Sequence, residues 1–290
     1  MQILKVHSAE AGARIAAASG TGLISLYLYP ADWPAAPLVN ALYANAATSL
    51  LSISLTVLFI DRLYEQRDAQ QLKKRLIWEM GSSDQAFTGR SVKELRDAGW
   101  LTDGSLEGLD FALANLQHID LSGAWLRKSD LTSANLQLAD LEGADLSGAV
   151  LDGCDAEKAN FKVAIMPGAS LRRSNLAGAK LDDAVMTGDI DLLRACMVGA
   201  SLRGAKLAGA RLEECDLTNC DLAHADLSGS TLRGAILQSA SFENASLERV
   251  DLQDLGTWSG IRSISGAKIS GIRNAPEGFR AWAVSNGAVE

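Results

Sequence analysis

A five-residue rhythm constrains this chain more than any other feature. From about residue 104 to residue 254 a large apolar residue returns at every fifth position, as at Leu116, Leu121, Leu126, Leu131, Leu136 and Leu141, and again from Leu202 to Leu237. Two positions before it stands a small residue, such as Ala114, Ala124, Ala134, Ala144, Ala205 or Ala225, and one position before it often stands Asp or Asn. A period of five fits neither the 3.6 of a helix nor the 2 of a strand, so no ordinary amphipathic element explains it. Repetition at fixed spacing decides the fold instead. A unit too short to enclose its own apolar residue must stack on copies of itself, each touching chiefly its neighbours.

The pattern A-[DN]-L-x-x, read in Ala144-Asp145-Leu146-Ser147-Gly148 and Ala225-Asp226-Leu227-Ser228-Gly229, resembles the pentapeptide-repeat family. That resemblance implies a mainly β fold, a right-handed quadrilateral β-helix in which four units make one square turn. The central residue and the small residue two before it then point inward. Packing chemistry agrees with the implied geometry, because a narrow interior filled by leucines leaves room between them only for side chains near alanine in size. The exceptions, Ser129, Cys154, Ser174, Cys215, Cys220 and Ser230, are all small. With coils about 4.8 Å apart the repeat predicts a rod of some seven turns, roughly 35 Å long.

Faults in the rhythm stay in phase. Ala156 takes a central position just before the oversized Phe161, which reads as an exchange of volume. Between Met186 and Leu192 the spacing is six, which places a one-residue bulge at Asp189 or a neighbour. Met166, Met186 and Met197 gather around this zone and suit uneven space.

The first 60 residues differ from the rest. Residues 41–60 carry no formal charge, a length that matches the roughly 20 residues needed to cross a bilayer core. A weaker apolar stretch covers residues 15–29, and Pro30-Ala31-Asp32-Trp33-Pro34 reads as a turn between the two. Lys5 and Arg14 precede the first stretch, while Arg62, Arg67, Lys73, Lys74 and Arg75 follow the second, which favours a two-pass hairpin with both ends in the cytoplasm. A single span, a helical hairpin buried on the rod and a signal segment are the alternatives. The segment 51–65 also resembles the membrane-proximal part of bacterial pentapeptide-repeat proteins with an amino-terminal anchor.

The expected organisation is therefore a membrane anchor over 1–60, a helical linker and cap over 61–103, the β-helix over 104–254, and a decayed repeat with a helical cap over 255–290. In the linker, Leu63, Leu72, Leu76, Ile77 and Met80 suggest an apolar stripe on a polar helix. Ser83 is the expected cap of a second helix that ends at Gly99. Near the carboxyl end Pro276 suits a first helical position, and Phe279, Trp282 and Ala283 share a face. Helix-mediated homodimerisation is a sharper use of the linker than capping.

Catalytic signatures are missing from the sequence. His7, His118 and His224 are scattered, and neither a zinc spacing, a nucleophile elbow nor a phosphate-binding glycine loop occurs. Cys154, Cys196, Cys215 and Cys220 suit packing rather than a disulfide framework. No catalytic, metal or cofactor residue is expected, and the chain reads as not an enzyme. A net charge of −8 argues against direct nucleic-acid binding.

Specificity should then lie outside the coil. Stacking one side of the repeat aligns Ser105, Trp125, Asp145, Ile165, Val185 and Lys206, so Trp125, Ile165 and Val185 form a candidate interaction surface that breaks the Asp/Asn pattern. A lapse of the repeat, or contact with the preceding helices, is the bland account. Basic residues concentrate mid-rod at Arg172, Arg173, Arg194, Arg203 and Arg211, the second candidate surface. The expected function is a non-enzymatic protein-binding scaffold, tethered to the lipid bilayer of a bacterial inner membrane, with its repeat in the cytoplasm and a protein partner unnamed by the sequence. The alternatives are a DNA-mimicking protein that binds gyrase or another topoisomerase, as some members of the resembled family do, and a structural spacer or assembly module.

Overall fold

In one pentad, Ala139-Asp140-Leu141-Glu142-Gly143, all five backbone N–H groups find acceptors. Asp140 N–H donates to Ile119 of the coil before, while Leu141 N–H and Gly143 N–H donate to Asn160 and Lys162 of the coil after, at 2.7 to 2.9 Å. The next residue, Ala144, closes a turn onto the Leu141 carbonyl at 3.0 Å, and the same turn at the preceding corner serves Ala139 through Leu136. Only the Glu142 N–H lies outside this ladder, and the Asp140 carboxylate accepts it at 3.0 Å. This is the physical reason for Asp or Asn at that position: a short polar side chain caps the backbone donor two residues on.

The computed structural model describes residues 36–290, with side chains from residue 49 onward. Its repeat is a square coil. Isolated parallel bridges link residues 20 apart, as in Asp110 to Asp130, Asn115 to Asn135, Asp120 to Asp140 and Trp125 to Asp145, which defines four sides. No bridge grows into an extended strand among the described residues, because a turn interrupts each side after a single pairing. Position two after the central residue adopts positive φ at every corner, which explains the many glycines there, such as Gly143 and Gly148 at 65°. Inside, Leu116, Leu121, Leu126 and their successors are fully buried, as are Ala156, Phe161, Met166, Met186 and Met197.

The bridge step rises from 20 to 21 between Ser170 and Asp191 and returns to 20 at Asp191 to Arg211. The extra residue falls at the turn containing Gly188 and Asp189, both at positive φ, as the spacing predicts. Ile190 then fills the small inward position completely buried. A second insertion comes after Asp254, where the step becomes 22 in Ser241 to Ser263, Ser246 to Lys268 and Asp251 to Arg273. The repeat that decays in sequence thus keeps its fold, with Leu255, Ile261, Ile264, Ile269 and Ile272 buried.

Three helices are described. Helix α1 spans Ala36–Met80, α2 spans Gln85–Asp97 and α3 spans Phe279–Ser285. The chain divides into two compact units, Met1–Leu72 and Lys73–Glu290. In the second unit, α2 and the segments on either side of it close the first coil: Thr88, Ser91, Val92 and Leu95 are buried, and the Ser82 and Leu101 carbonyls accept from the Asn115 and Trp125 N–H groups. The expected cap at Ser83 is corrected to Asp84, whose carboxylate accepts the Ala86 N–H at 2.9 Å and has the better charge for a helix start. At the far end α3 begins at Phe279 after Gly278, so Pro276 lies before the helix rather than in its first turn. Phe279, Trp258 and Trp282 pack with centroids 5.4 to 6.1 Å apart, and Val289 returns to bridge Lys268 as a last rung.

The apolar stripe expected along 61–80 holds only at its end. Leu76 and Met80 are buried, whereas Leu63 and Leu72 are exposed. Among the described residues no helix is long and apolar enough to cross a membrane. The expected span over 41–60 begins in residues whose side chains lie outside the described set, and the stretch over 15–29, with the turn after it, lies wholly outside it.

Candidate interaction surface

Each side of the coil presents one column of bridge residues, and the fourth side carries the apolar exception. Its column runs Trp125, Asp145, Ile165, Val185, Lys206 and Asp226 through successive parallel bridges. Trp125 and Ile165 are each 41% exposed and Val185 is half-buried. The column arises because the outward position of the pentad faces no packing demand; its only local duty is to accept one N–H.

That duty explains what can stand there. Behind Ile165 the residue two on is Pro167, which has no N–H, so the loss of the carboxylate leaves nothing unpaired. At Ser170 and Ser201 the acceptor comes from the coil before: Asp152 takes the Ser170 hydroxyl at 2.5 Å and the Arg172 N–H at 3.0 Å, and Asp182 takes the Ser201 hydroxyl and the Arg203 N–H. The sequence signal for this exchange is present, an acid standing one position after the central residue in the coil below a serine.

Between Trp125 and Ile165 sits a paired acid. Asp145 is only 7% exposed; its carboxylate accepts from the Ser147 hydroxyl at 2.6 Å and N–H at 3.1 Å and from Arg127 Nε at 2.6 Å. Burial pushes the Asp145 carboxyl up, but the donors from Ser147 and Arg127 together outweigh it and hold the group below its ordinary 3.8. The same Arg127 guanidinium lies 5.4 Å from the Trp125 ring centroid, so it bridges the aromatic face and the acid.

The structure brings four of the five arginines to one side but sets acids among them. Arg172, Arg173, Arg194 and Arg211 lie on the first side and the corner after it, while Arg203 lies at the corner following the third side. Most are already paired: Arg194 with Glu214 at 2.7 Å, Arg203 with Asp221 at 2.8 Å, and Arg211 with Asp191 at 3.0 Å, with Arg172 3.5 Å from the same Asp191. Arg173 stands at a left-handed corner beside Asp152, Gly153 and Arg172 around a shallow open depression. These arginines interrupt the acidic columns and fasten one coil to the next across the surface.

The cysteines are set in the packing. Cys154, Cys215 and Cys220 are buried at small inward positions and burial pushes each thiol up to about 12, so they stay protonated. Cys196 stands half-buried in a bridge column, and all four are free. Among the described residues no cluster of His, Cys, Asp or Glu could hold a metal ion. His118 and His224 occupy left-handed corners on different columns.

A model of pentapeptide repeats matches residues 101–132, 110–148, 134–166, 144–188, 195–234 and 215–254. The chain belongs to the pentapeptide-repeat family. Membership makes the square coil a right-handed β-helix, and proteins of the family are generally structural or binding proteins rather than catalysts. Among solved structures, HetL, a pentapeptide-repeat protein involved in heterocyst differentiation regulation from the cyanobacterium Nostoc, is 27% identical over 62% of this chain and 79% of its own, with a TM-score of 0.37. Full-length QnrB1, a plasmid-mediated fluoroquinolone resistance protein, is 17% identical over 62% of this chain and 94% of its own, with a TM-score of 0.30. A pentapeptide-repeat protein from the Arabidopsis thaliana thylakoid lumen is 24% identical over 51% of this chain and 80% of its own, with a TM-score of 0.21. No curated protein matches the chain.

Proposed function

We propose that this pentapeptide-repeat protein is a non-catalytic binding scaffold, held at the bilayer of a bacterial inner membrane by its amino-terminal segment and offering its repeat on the cytoplasmic side. The observation that carries the binding role is the fourth side of the coil, where Trp125 and Ile165 stand exposed on a rigid support. The interior is committed to packing, so recognition falls to the outer columns. Coil-to-coil hydrogen bonds fix the spacing of those columns, so a partner meets a surface that needs little ordering before it binds.

The tether is supported by α1. Its residues Leu50, Leu51, Ile53, Leu55, Leu58 and Phe59 are all exposed, and no charge occurs between residues 41 and 60. An exposed apolar run of this kind is better placed against an apolar surrounding than in water. The basic residues Arg62, Arg67, Lys73, Lys74 and Arg75 that follow suit the cytoplasmic face.

The intact protein, carrying a photocrosslinking side chain in place of Trp125 or, as a control on another corner, Thr218, tests both parts after cell fractionation. Membrane sedimentation that survives a salt wash is expected, together with a crosslinked adduct from position 125 and none from 218. Recovery wholly among dissolved proteins would remove the tether, and equal capture from both positions would remove the surface.

A further inference from the structure

Where the third side turns into the fourth, the chain departs from the repeat at three outward positions in two successive pentads. Val163 holds the left-handed corner at φ 51°, and it is the one β-branched residue among the described positive-φ positions. Such a residue is disfavoured there, and backbone strain retained on a surface points to use. Ile165 replaces the acceptor, and Pro167 removes the donor that would have needed it. Val163, Ile165 and the bridged Val185 make an apolar centre, with Val163 49% exposed.

The corner that follows is largely glycine: Gly148, Gly168, Gly188, Gly209 and Gly229 occupy its left-handed positions, and from Trp125 to Asp226 only Lys128 beside Trp125 and the bulge residue Asp189 carry side chains there. Flanking the centre are charges: on one flank Asp145, which is paired with Arg127 two residues beyond Trp125, and on the other Lys206 and Asp226 in the column. Lys206 is exposed and has no ion pair among the described residues.

From this order we infer that the fourth side pairs with the same side of a second copy of the chain, antiparallel, about a two-fold axis passing between Ile165 and Val185. The inference rests on reading this side as a binding surface. The axis sets Ile165 against the partner's Val185, Asp145 against the partner's Lys206, and the Arg127–Trp125 pair against the partner's Asp226. A parallel arrangement would set each charge against its own kind, which costs affinity. An isologous contact needs a self-complementary patch, and the sequence of positive, negative, apolar, apolar, positive, negative is one.

The full chain in lipid nanodiscs provides the test. Two differently tagged copies, one with Ile165→Cys and the other with Val185→Cys, are mixed, oxidised and compared with the protein carrying only its native cysteines. The antiparallel pair predicts that the mixed disulfide exceeds either like pair at least tenfold. Lys206→Glu should lower the dimer fraction about tenfold, and Ile165→Asp should abolish the dimer with unchanged melting, since Asp is the repeat's own residue there. A wild-type chain that stays monomeric at tens of micromolar, a dimer that survives Ile165→Asp, or a preference for like pairs would each overturn the proposal. If a monomeric chain still yields an adduct with another protein from position 125, self-association falls while the binding surface stands.

Discussion

Residues 50–60 of α1 and the leucine columns of the coil use the same aliphatic side chains and leave them in opposite states. Leu126, Leu136 and Leu146 are sealed by the coils above and below, while Leu50, Leu55 and Leu58 remain exposed. The coil finds its apolar surrounding in copies of itself; the helix has no such copies among the described residues. Leucine content alone therefore says little about burial. What matters is whether the chain supplies a partner at the matching spacing.

Opposite responses to charge sharpen this contrast. Leu141→Asp places an unpaired carboxylate among fully buried side chains, so the rod should lose more than about 4 kcal/mol and its cooperative melt by circular dichroism. An unchanged melt would break the stacked-core account. Leu55→Arg with Leu58→Arg should leave that melt in place and instead release most of the protein from sedimenting membranes. Loss of the rod's melt in that double variant would show that the helix is buried by the repeat after all.

A smaller effect is expected where the coil buries charge by design. Asp145→Asn keeps an acceptor for Ser147 but removes the charge paired with Arg127, and should cost about 1 kcal/mol at pH 7. Because the folded carboxyl is held below 3.8, its contribution is complete above about pH 4 and fades as the pH falls through the folded value. Urea melts at pH 7 and pH 3 should thus show the gap between wild type and variant narrowing in acid. A gap that widens would contradict the assignment.

The smallest change should be a gain. Ser230 is fully buried at an alanine position and its hydroxyl lacks a partner, unlike Ser129 and Ser174, whose hydroxyls donate to the Leu126 and Leu171 carbonyls at 2.7 Å. Ser230→Ala should therefore stabilise by about 0.5 to 1 kcal/mol, whereas Ser129→Ala should not. Equal melting shifts for the two would mean that the hydroxyl at 230 is satisfied.

Much of the architecture was legible because a solenoid is specified by neighbours at fixed spacing. The bulge near Asp189 follows from counting, and the column of Trp125, Asp145, Ile165 and Val185 follows once the family resemblance supplies a turn of four units. Other features depend on where the backbone goes. The repeat after Asp254 looks decayed, yet two inserted residues restore its register, and Trp258 is recruited with Phe279 and Trp282 to the end of the coil. Of the arginines near mid-rod, the coil keeps Arg172, Arg173, Arg194 and Arg211 on one side and the corner after it, and turns only Arg203 to another. Asp84 rather than Ser83 starts α2, a choice between adjacent caps that spacing cannot make.

By itself the sequence determined the coil: a small residue, an acceptor and a leucine in a five-residue frame leave one way to bury the leucines and pair the backbone. The tertiary structure alone decided the surface, because which outward groups meet depends on bridges between residues about twenty apart. It set Arg127 between Trp125 and Asp145 and tied Arg194, Arg203 and Arg211 into ion pairs. Burial answers to local period, whereas a surface is assembled from parts of the chain that only folding brings side by side.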